Sequence, residues 1–423
     1  MKYSVITFGC RVNQADSLRV EEDLRGRGGQ SSPASAADLV VVNTCSVTAT
    51  ADQGARQTIR RVARDNPGAR IVVTGCYATR CPDDVASLPG VLRVVRNEEK
   101  LDLVQLLERS GEWPTNLRFG DGEGPCGAPL EPGVAGRTAF TLRVQTGCEQ
   151  RCSYCIIPRT RGRGRSLAIA DVIADVERAG ASGYREVAMT GVHLGSYGRD
   201  LLPRSSLADL LRALLSVRHD VTFRISSLEP MDCTPEIVDL VASNDRRFAP
   251  HFHLPLQHSS DRLLDRMRRP YTLDQYRRLV DGIIERLPHA SIGSDVIVGF
   301  PGETDDDFQL NADYLARSPL SHLHVFPYSD RPGTEAASMP DKVPGPVTRA
   351  RGARVRELGA ALTERFQALQ VGTERPGLTL EDGTLVVTDN YLKVRIPAGC
   401  KRNERVRVRL TGKGAATVVG QTS

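Results

Sequence analysis

Cys148, Cys152 and Cys155 form a C-x3-C-x2-C triplet within the run Gly147-Cys148-Glu149-Gln150-Arg151-Cys152-Ser153-Tyr154-Cys155. The run supplies three thiolates to a metal, not four. Three ligands suit a site with one coordination position open, whereas a closed structural zinc site wants four. With iron and sulfide, three cysteines on one loop can hold a 4Fe–4S cube whose fourth iron is free to bind a small molecule. Spacing alone leaves two other readings, a zinc knuckle with a distant fourth ligand and free buried thiols.

The triplet follows a short β-type run that opens a long alternating series. Strands are predicted at Phe140–Gln145, Glu186–Thr190, Thr222–Ser226, His251–Leu254, Gly293–Val298 and His322–Phe326. Helices fall between them, including Ala168–Ala179, Ser206–Leu215, Leu273–Glu285 and Thr304–Ala316. Six βα units are too few for a closed eight-stranded barrel, so a partial, open barrel is expected. Upstream, Tyr3–Thr7, Asp38–Asn43, Ile71–Thr74 and Val91–Val95 alternate with helix-compatible stretches such as Asn13–Arg25 and Thr50–Arg64. That pattern predicts βαβ units on a doubly wound parallel sheet. Residues 110–136 hold seven Gly and four Pro in 27 positions and read as a linker or long loop. From about Val371 the chain is short and β-rich, with Leu378–Leu380, Thr384–Val387, Leu392–Ile396 and Val406–Leu410, as in a small antiparallel barrel of the RNA-binding type. The expected division is 1–115, a linker at 116–136, 137–368 and 369–423.

Three further cysteines gain meaning from this layout. Cys10, Cys45 and Cys76 each follow a predicted strand, at intervals of 35 and 31 residues. Each interval is one βα repeat, so all three should emerge at the carboxyl edge of one parallel sheet, where α/β folds place ligands. A second three-cysteine iron–sulfur site is the sharper reading, and buried structural cysteine the plainer one for any single member. Cys81, five residues after Cys76, could reach the same edge as a spare thiol or fourth ligand. Cys126, Cys233 and Cys400 are read as non-ligands.

Composition restricts the setting. Ten cysteines in 423 residues are too sparse for a disulfide scaffold, so metal or redox chemistry in a reducing compartment is favoured. The N-terminus MKYSVITFGC lacks a signal-type apolar stretch, and no run approaches membrane-spanning length, which argues for the cytoplasm and against a membrane partner. Residues 373–423 carry nine Lys/Arg against five Asp/Glu, a basic tail suited to a polyanion such as nucleic acid. Arg151, Arg159, Arg161, Arg163 and Arg165 put five guanidinium groups in fifteen residues beside the triplet, suited to RNA phosphates or a substrate carboxylate. His251 and His253 share one face of a strand, and with His258 they suggest packing at the barrel mouth or substrate contact rather than a third metal.

The continuation Cys152-Ser-Tyr-Cys155-Ile-Ile-Pro-Arg-Thr-Arg-Gly after the first strand of a six-unit series resembles the radical S-adenosylmethionine (SAM) superfamily. The Cys10 segment ThrPheGlyCysArgValAsnGln, AsnThrCys45, ThrGlyCys76-Tyr, Gly293-Ser-Asp-Val-Ile-Val-Gly-Phe-Pro-Gly-Glu-Thr304 and Phe326-Pro-Tyr-Ser-Asp-Arg-Pro-Gly-Thr334 resemble its methylthiotransferases. Thr388-Asp-Asn-Tyr-Leu-Lys-Val394 is similar to the family's RNA-binding TRAM module. The resemblance implies two 4Fe–4S clusters, one on Cys148, Cys152 and Cys155 that cleaves SAM to a radical, and one on Cys10, Cys45 and Cys76 that brings the sulfur. Thr190 and Gly191 would hold the methionine end of SAM, Ser226 or Ser227 its ribose, and Gln257 and Val298 its adenosine, while Arg159, Arg161, Arg163 and Arg165 would meet substrate.

Family branches modify isopentenyladenosine or threonylcarbamoyladenosine in tRNA, or an aspartate of a ribosomal protein. Cys10–Gln14 and Thr190-Gly-Val-His-Leu-Gly-Ser-Tyr-Gly198 most resemble the threonylcarbamoyladenosine branch, which takes two SAM per methylthio group at C-2, 3′ of the anticodon. The implied partners are tRNA and a reductant such as flavodoxin or ferredoxin, with no DNA. Cys81 departs from the pattern of the first cluster. A non-enzymatic alternative is a zinc-stabilised RNA-binding protein.

Overall fold

The computed structural model describes residues 1–113 and 138–421, so the Gly/Pro-rich linker expected at 116–136 and Cys126 lie outside the described residues. Five strands, β1 (Lys2–Thr7), β2 (Gln30–Ser31), β3 (Leu39–Thr44), β4 (Arg70–Gly75) and β5 (Val91–Val95), pair in parallel in the order β2-β1-β3-β4-β5. All of β3 is buried, and its Leu-Val-Val-Val run is what a central strand covered on both faces requires. Helices Arg11–Gly26 and Leu103–Arg109 cover one face through Leu24, Val41, Val72 and Leu107. Helices Ala49–Asp65 and Pro82–Ala86 cover the other through Val40, Ile59, Val73 and Val85. The sheet is doubly wound, as the alternation predicted; the two-residue β2 is too short to leave a periodic signal.

The central part carries β6 (Phe140–Arg143), β7 (Gln145–Thr146), β8 (Arg165–Ser166), β9 (Glu186–Thr190), β10 (Thr222–Ile225), β11 (His251–His253), β12 (Ser291–Val298) and β13 (His322–Pro327). Six of these are parallel, in two runs, β10-β9-β6 and β11-β12-β13. Parallel bridges Phe223↔Phe248 and Ser227↔His253 join β10 to β11, so the six strands form one open arc. Outward residues such as Val187, Phe223, Phe252, Val296 and Val298 share a core with the surrounding helices. Helix starts are well specified locally: Ser206, Thr272 and Thr304 each form a reciprocal capping box.

A 26-residue helix, Gly345–Gln370, for which the sequence reading assigned no element, packs against β12 and β13. It places Val355, Leu358 and Leu362 in the central core, while Phe366 enters the core of the last unit. That unit is a closed barrel of β14 (Glu374–Leu380), β15 (Leu385–Thr388), β16 (Lys393–Arg395), β17 (Arg405–Gly412) and β18 (Ala415–Gln421), in the order β14-β15-β16-β18-β17. It is not wholly antiparallel, because β16 meets β18 in parallel at Arg395↔Ala415. β18 was missed, since AATVVGQ follows a Gly-Lys-Gly turn and lacks strict alternation.

The N-terminal sheet docks on the arc through helix Arg11–Gly26, which lies against β6. Asp16, 1% exposed, accepts from Arg143 on β6 at 2.7 Å, and from Lys100 and Arg161 at 3.1 Å each. Arg161 also donates to Asn13 Oδ1 at 2.5 Å. Burial pushes the Asp16 carboxyl up, but Lys100, Arg143 and Arg161 outweigh it and hold the group well below the usual carboxylate range. A second knot joins Asp52 to Arg80 of the same sheet and to Arg331 of the loop after β13, the latter at 2.7 Å. Asp16→Ala leaves three cations without their carboxylate and should destabilise the fold by about 3–5 kcal/mol, read from the denaturation midpoint. Because the folded-state value is depressed, this contribution is present above about pH 4 and is lost as the pH falls below it. An unchanged midpoint in the variant would show that the knot contributes nothing.

Candidate functional site

The strand order of the N-terminal sheet reverses between β1 and β3, and such a switch point opens a crevice at the carboxyl ends of the strands. Cys10 caps the helix after β1, Cys45 directly follows β3, and Cys76 opens a short helix directly after β4. Two glycines permit the convergence. A Cβ on Gly9, at φ +87°, would lie 2.5 Å from Cys45 Sγ, and one on Gly75, at φ +99°, would lie 2.2 Å from the Thr44 carbonyl oxygen. Cys10 is exposed, whereas Cys45 and Cys76 are buried. Burial pushes the Cys45 thiol up to about 11, and neighbouring Cys10 and Cys76 add to the effect. Three thiols brought to one sheet edge are the donor set that a bound metal centre would take. Asn97 Nδ2 donates to Cys76 Sγ at 3.6 Å and to the Thr160 carbonyl at 2.8 Å, tying this trio to the loop of the other. Cys81 packs partly buried against the apolar cluster beneath helix Ala49–Asp65.

The second trio sits on the loop between β7 and β8. Ser153 pins that loop: its N–H donates to Met267 O at 3.1 Å, its hydroxyl to Arg266 O at 2.8 Å, and its carbonyl accepts from Ala336 N at 2.8 Å. Tyr154 packs edge-on against Phe300. Donors surround the sulfurs. Gln150 N lies 3.4 Å from Cys148 Sγ, and Arg269 Nη1 lies 3.3 Å from Cys152 Sγ while the same guanidinium is paired with Glu229. His193 meets both Cys148 and Asp232; burial opposes its charge, but Asp232 and Cys148 outweigh that and raise it to about 9. Burial pushes the Cys155 thiol up to about 12. Three thiols with N–H donors aimed at their sulfurs fit an iron–sulfur cluster, whose potential such bonds tune. The sequence does not single out His193, Arg269 and Asn97, which reach a cysteine from another element, or Asp232 and Glu229, which hold His193 and Arg269.

The residues expected to hold SAM divide into three groups. Ser226, at the end of β10, is 6% exposed, and its hydroxyl has no hydrogen-bond partner among the described residues. Thr190 ends β9, and Gly191 lies against Gln145, whose Oε1 accepts from His193 N at 2.9 Å. Ser227 is bound to His253 Nδ1 at 2.8 Å, and Gln257 is held at φ 69° in a bridge to Val296. Val298 departs from expectation. Its side chain belongs to the helix-side core, 3.5 Å from where a Cβ of Gly352 would stand, and so faces away from the arc's interior.

The arginine run also separates. Arg151, Arg159, Arg163 and Arg165 are exposed, with Arg163 only loosely near Glu149 at 3.9 Å. Arg161 is buried in the Asp16 knot and is a docking residue, not a free cation for substrate. The three histidines do not form a cluster. His258 is fully buried beside Glu303, with 3.7 Å between Nε2 and Oε1. His253 instead joins Asp295 and His324, with the three polar atoms 3.1, 3.2 and 3.3 Å apart. This is the one group of three such side chains among the described residues whose ligand atoms all lie within 4.8 Å of one another. Its charge is already balanced by hydrogen bonds, because Asp295 accepts from both imidazoles.

Residues 2–96 match the family described as uncharacterized protein family UPF0004, and residues 142–315 match the radical SAM superfamily. A threonylcarbamoyladenosine tRNA methylthiotransferase of Aquifex aeolicus is 36% identical, with 93% of this chain and 96% of that protein covered. The Bacillus subtilis protein of the same name is 35% identical over 92% and 88%. A tRNA-2-methylthio-N(6)-dimethylallyladenosine synthase of Corynebacterium urealyticum is 33% identical over 90% and 73%. Among solved structures, the radical SAM methyltransferase TsrM of Kitasatospora setae superposes with a TM-score of 0.56 at 17% identity, covering 79% of this chain and 77% of that one, a likeness of fold alone. Two cysteine trios at one interface, on a doubly wound sheet and an open six-stranded arc, together with similarity over at least 90% of this chain to these relatives, place the chain in the radical SAM methylthiotransferase family.

Proposed function

We propose that this enzyme places a methylthio group on C-2 of N6-threonylcarbamoyladenosine in tRNA, at the adenosine 3′ of the anticodon. The observation that carries this reading is the near-full-length similarity to relatives bearing that activity in their names. Bound at the two trios, iron–sulfur clusters and SAM would supply a reducing electron, a carbon-centred radical and the sulfur.

The chain's own part is holding and alignment. Cys148, Cys152 and Cys155 would hold one cluster, with Arg269 and His193 orienting the sulfurs they touch. Cys10, Cys45 and Cys76 would hold the other, and Asn97 and the Asp16 knot fix its distance from the first. The unpartnered Ser226 hydroxyl, with Thr190 and Gly191 on the neighbouring strand, is the best-placed polar group for SAM. Exposed Arg151, Arg159, Arg163 and Arg165 around the cluster loop, with Lys393 and Arg395 on the last barrel, offer the tRNA backbone a cationic path. A reductant such as flavodoxin or ferredoxin would deliver the electron.

Nucleoside mass spectrometry in cells lacking the chain tests the substrate: methylthio-threonylcarbamoyladenosine should vanish. Its persistence, with loss of the isopentenyl analogue, would assign the other tRNA branch, and loss of a methylthio-aspartate in a ribosomal protein the third. The cluster count is tested by anaerobic reconstitution. Substituting all three of Cys10, Cys45 and Cys76 by Ser should remove about half of the bound iron and sulfide while SAM cleavage by the other site persists. Cys81→Ser should retain the full iron content; a loss would make Cys81 a ligand. Colourless, zinc-loaded wild-type protein would sink the catalytic reading altogether.

A further inference from the structure

The interior of the arc between β11 and β13 is lined by imidazoles. A Cβ at Gly293 would lie 2.1 Å from His322 Nε2, so the glycine makes the space that this ring fills. His251 stacks on His322 at 5.8 Å, His322 meets His324 at 5.5 Å, and His324 meets His253 at 5.2 Å. Tyr391, in the turn between β15 and β16, closes the run by stacking on His251 at 4.4 Å. Burial pushes His322 down to about 4 and His251 well below its ordinary value, so both rings are neutral. Asp295 is occupied by His253 and His324.

Arg11, the residue after Cys10, reaches the edge of this ring cluster. Its Nη2 donates to the Tyr391 hydroxyl at 2.7 Å, its guanidinium carbon stands 5.7 Å from the centre of that ring, and its charge is felt at both His251 and His322. The buried cations of the same joint are paired: Lys100, Arg143 and Arg161 share Asp16, and Arg224 grips Glu186. Arg11 has no carboxylate within ion-pair distance among the described residues, and Tyr391 takes one of its five N–H donors. A planar cationic fork with donors to spare is what a carboxylate ligand fits.

The position matters because C-2 of adenine and its N6 substituent flank the same ring nitrogen. A side chain next to a ligand of the sulfur-carrying site is therefore within reach of whatever N6 bears. The substituents named for the two kinds of relative differ here: threonylcarbamoyl ends in a carboxylate, and dimethylallyl ends in methyl groups. A half-buried guanidinium with donors to spare pairs with the first and gains nothing from the second.

We propose that Arg11, beside the Tyr391 and His322 rings, reads the carboxylate of the N6 substituent and thereby selects an acidic base over a hydrocarbon-bearing one. This rests on the substrate reading above and names the group that enforces it. The test is a cycle between residue and substrate. Wild-type enzyme and Arg11→Gln are each given anticodon stem-loops carrying threonylcarbamoyladenosine, its carboxamide counterpart or isopentenyladenosine, and both kcat/KM and stem-loop Kd are measured. Wild type should lose about 10- to 100-fold on passing from acid to amide, the value of a charge-assisted hydrogen bond, and R11Q should lose as much on the acid but little more on the amide. Arg11→Lys should recover part of the loss on the acid. Wild type processing acid and amide equally, or losses in the cycle that simply multiply, overturns the role of Arg11 while leaving the substrate reading intact. Wild type acting only on the isopentenyl stem-loop overturns the substrate reading itself, without reference to any variant.

Discussion

Asp16 has almost no exposed surface, and three cations from separate parts of the chain converge on it: Lys100 from the end of its own sheet, Arg143 from β6 and Arg161 from the cluster loop. A lone carboxylate could not remain ionised there, and without it the three cations would face one another uncompensated. The pairing therefore works as a keyed joint. It closes only when the N-terminal sheet is seated on the arc, and it draws in the same loop that carries Cys148, Cys152 and Cys155. The distance between the two trios is thus set by an ion cluster too costly to leave half made. The proposed chemistry, with two cofactor sites acting on one base, needs such registration, since small displacements of reacting groups are expensive.

The second knot makes the joint two-pointed. Asp52 lies a few residues beyond Cys45 and holds both Arg80 and Arg331, while Ala49 N donates to Ser329 Oγ at 3.1 Å. A single contact would leave the sheet free to pivot about Asp16. Two contacts on opposite sides, at Arg143 and at Arg331, remove that freedom. Arg331 lies in the Ser-Asp-Arg-Pro-Gly-Thr segment whose likeness to the family was legible in sequence. The structure gives that segment a mechanical task, to brace the Cys45 loop.

Local periodicity made the layers readable. Strands flanked by helices at one-repeat intervals put Cys10, Cys45 and Cys76 on one edge, and β1, β3 and β4 end there. Convergence from distant segments was not readable in the same way. Five arginines near the triplet look equivalent in sequence, yet Arg161 is buried by a carboxylate 145 residues earlier. His251, His253 and His258 look like a cluster, yet strand pairing gives His253 the companions Asp295 and His324 and leaves His258 with Glu303. Val298 alternates outward along β12, so its nearness to a strand end put it at the mouth while the pleat turned it toward the helix. For the arginines and the histidines the local pattern was sound and a partner far along the chain decided the role.

Tyr391 shows how the last barrel enters the same economy of contacts. Its backbone is left-handed at φ 69°, a conformation that costs a non-glycine residue about 1–2 kcal/mol. Such strain persists only where the surroundings over-determine it. Here Arg224 supplies two carbonyl contacts, to Thr388 and Asp389, and lies 5.1 Å from the ring centre, while Asn390 Nδ2 donates to His289 O at 3.0 Å. The turn is thereby inserted into the end of the arc, and its ring stacks on His251 as its hydroxyl accepts from Arg11. A barrel that merely trailed from a helix would have no need of this insertion. One ring joins three parts of the chain, so the seating of the terminal barrel and the side chain next to Cys10 share one hydrogen bond and one ring contact.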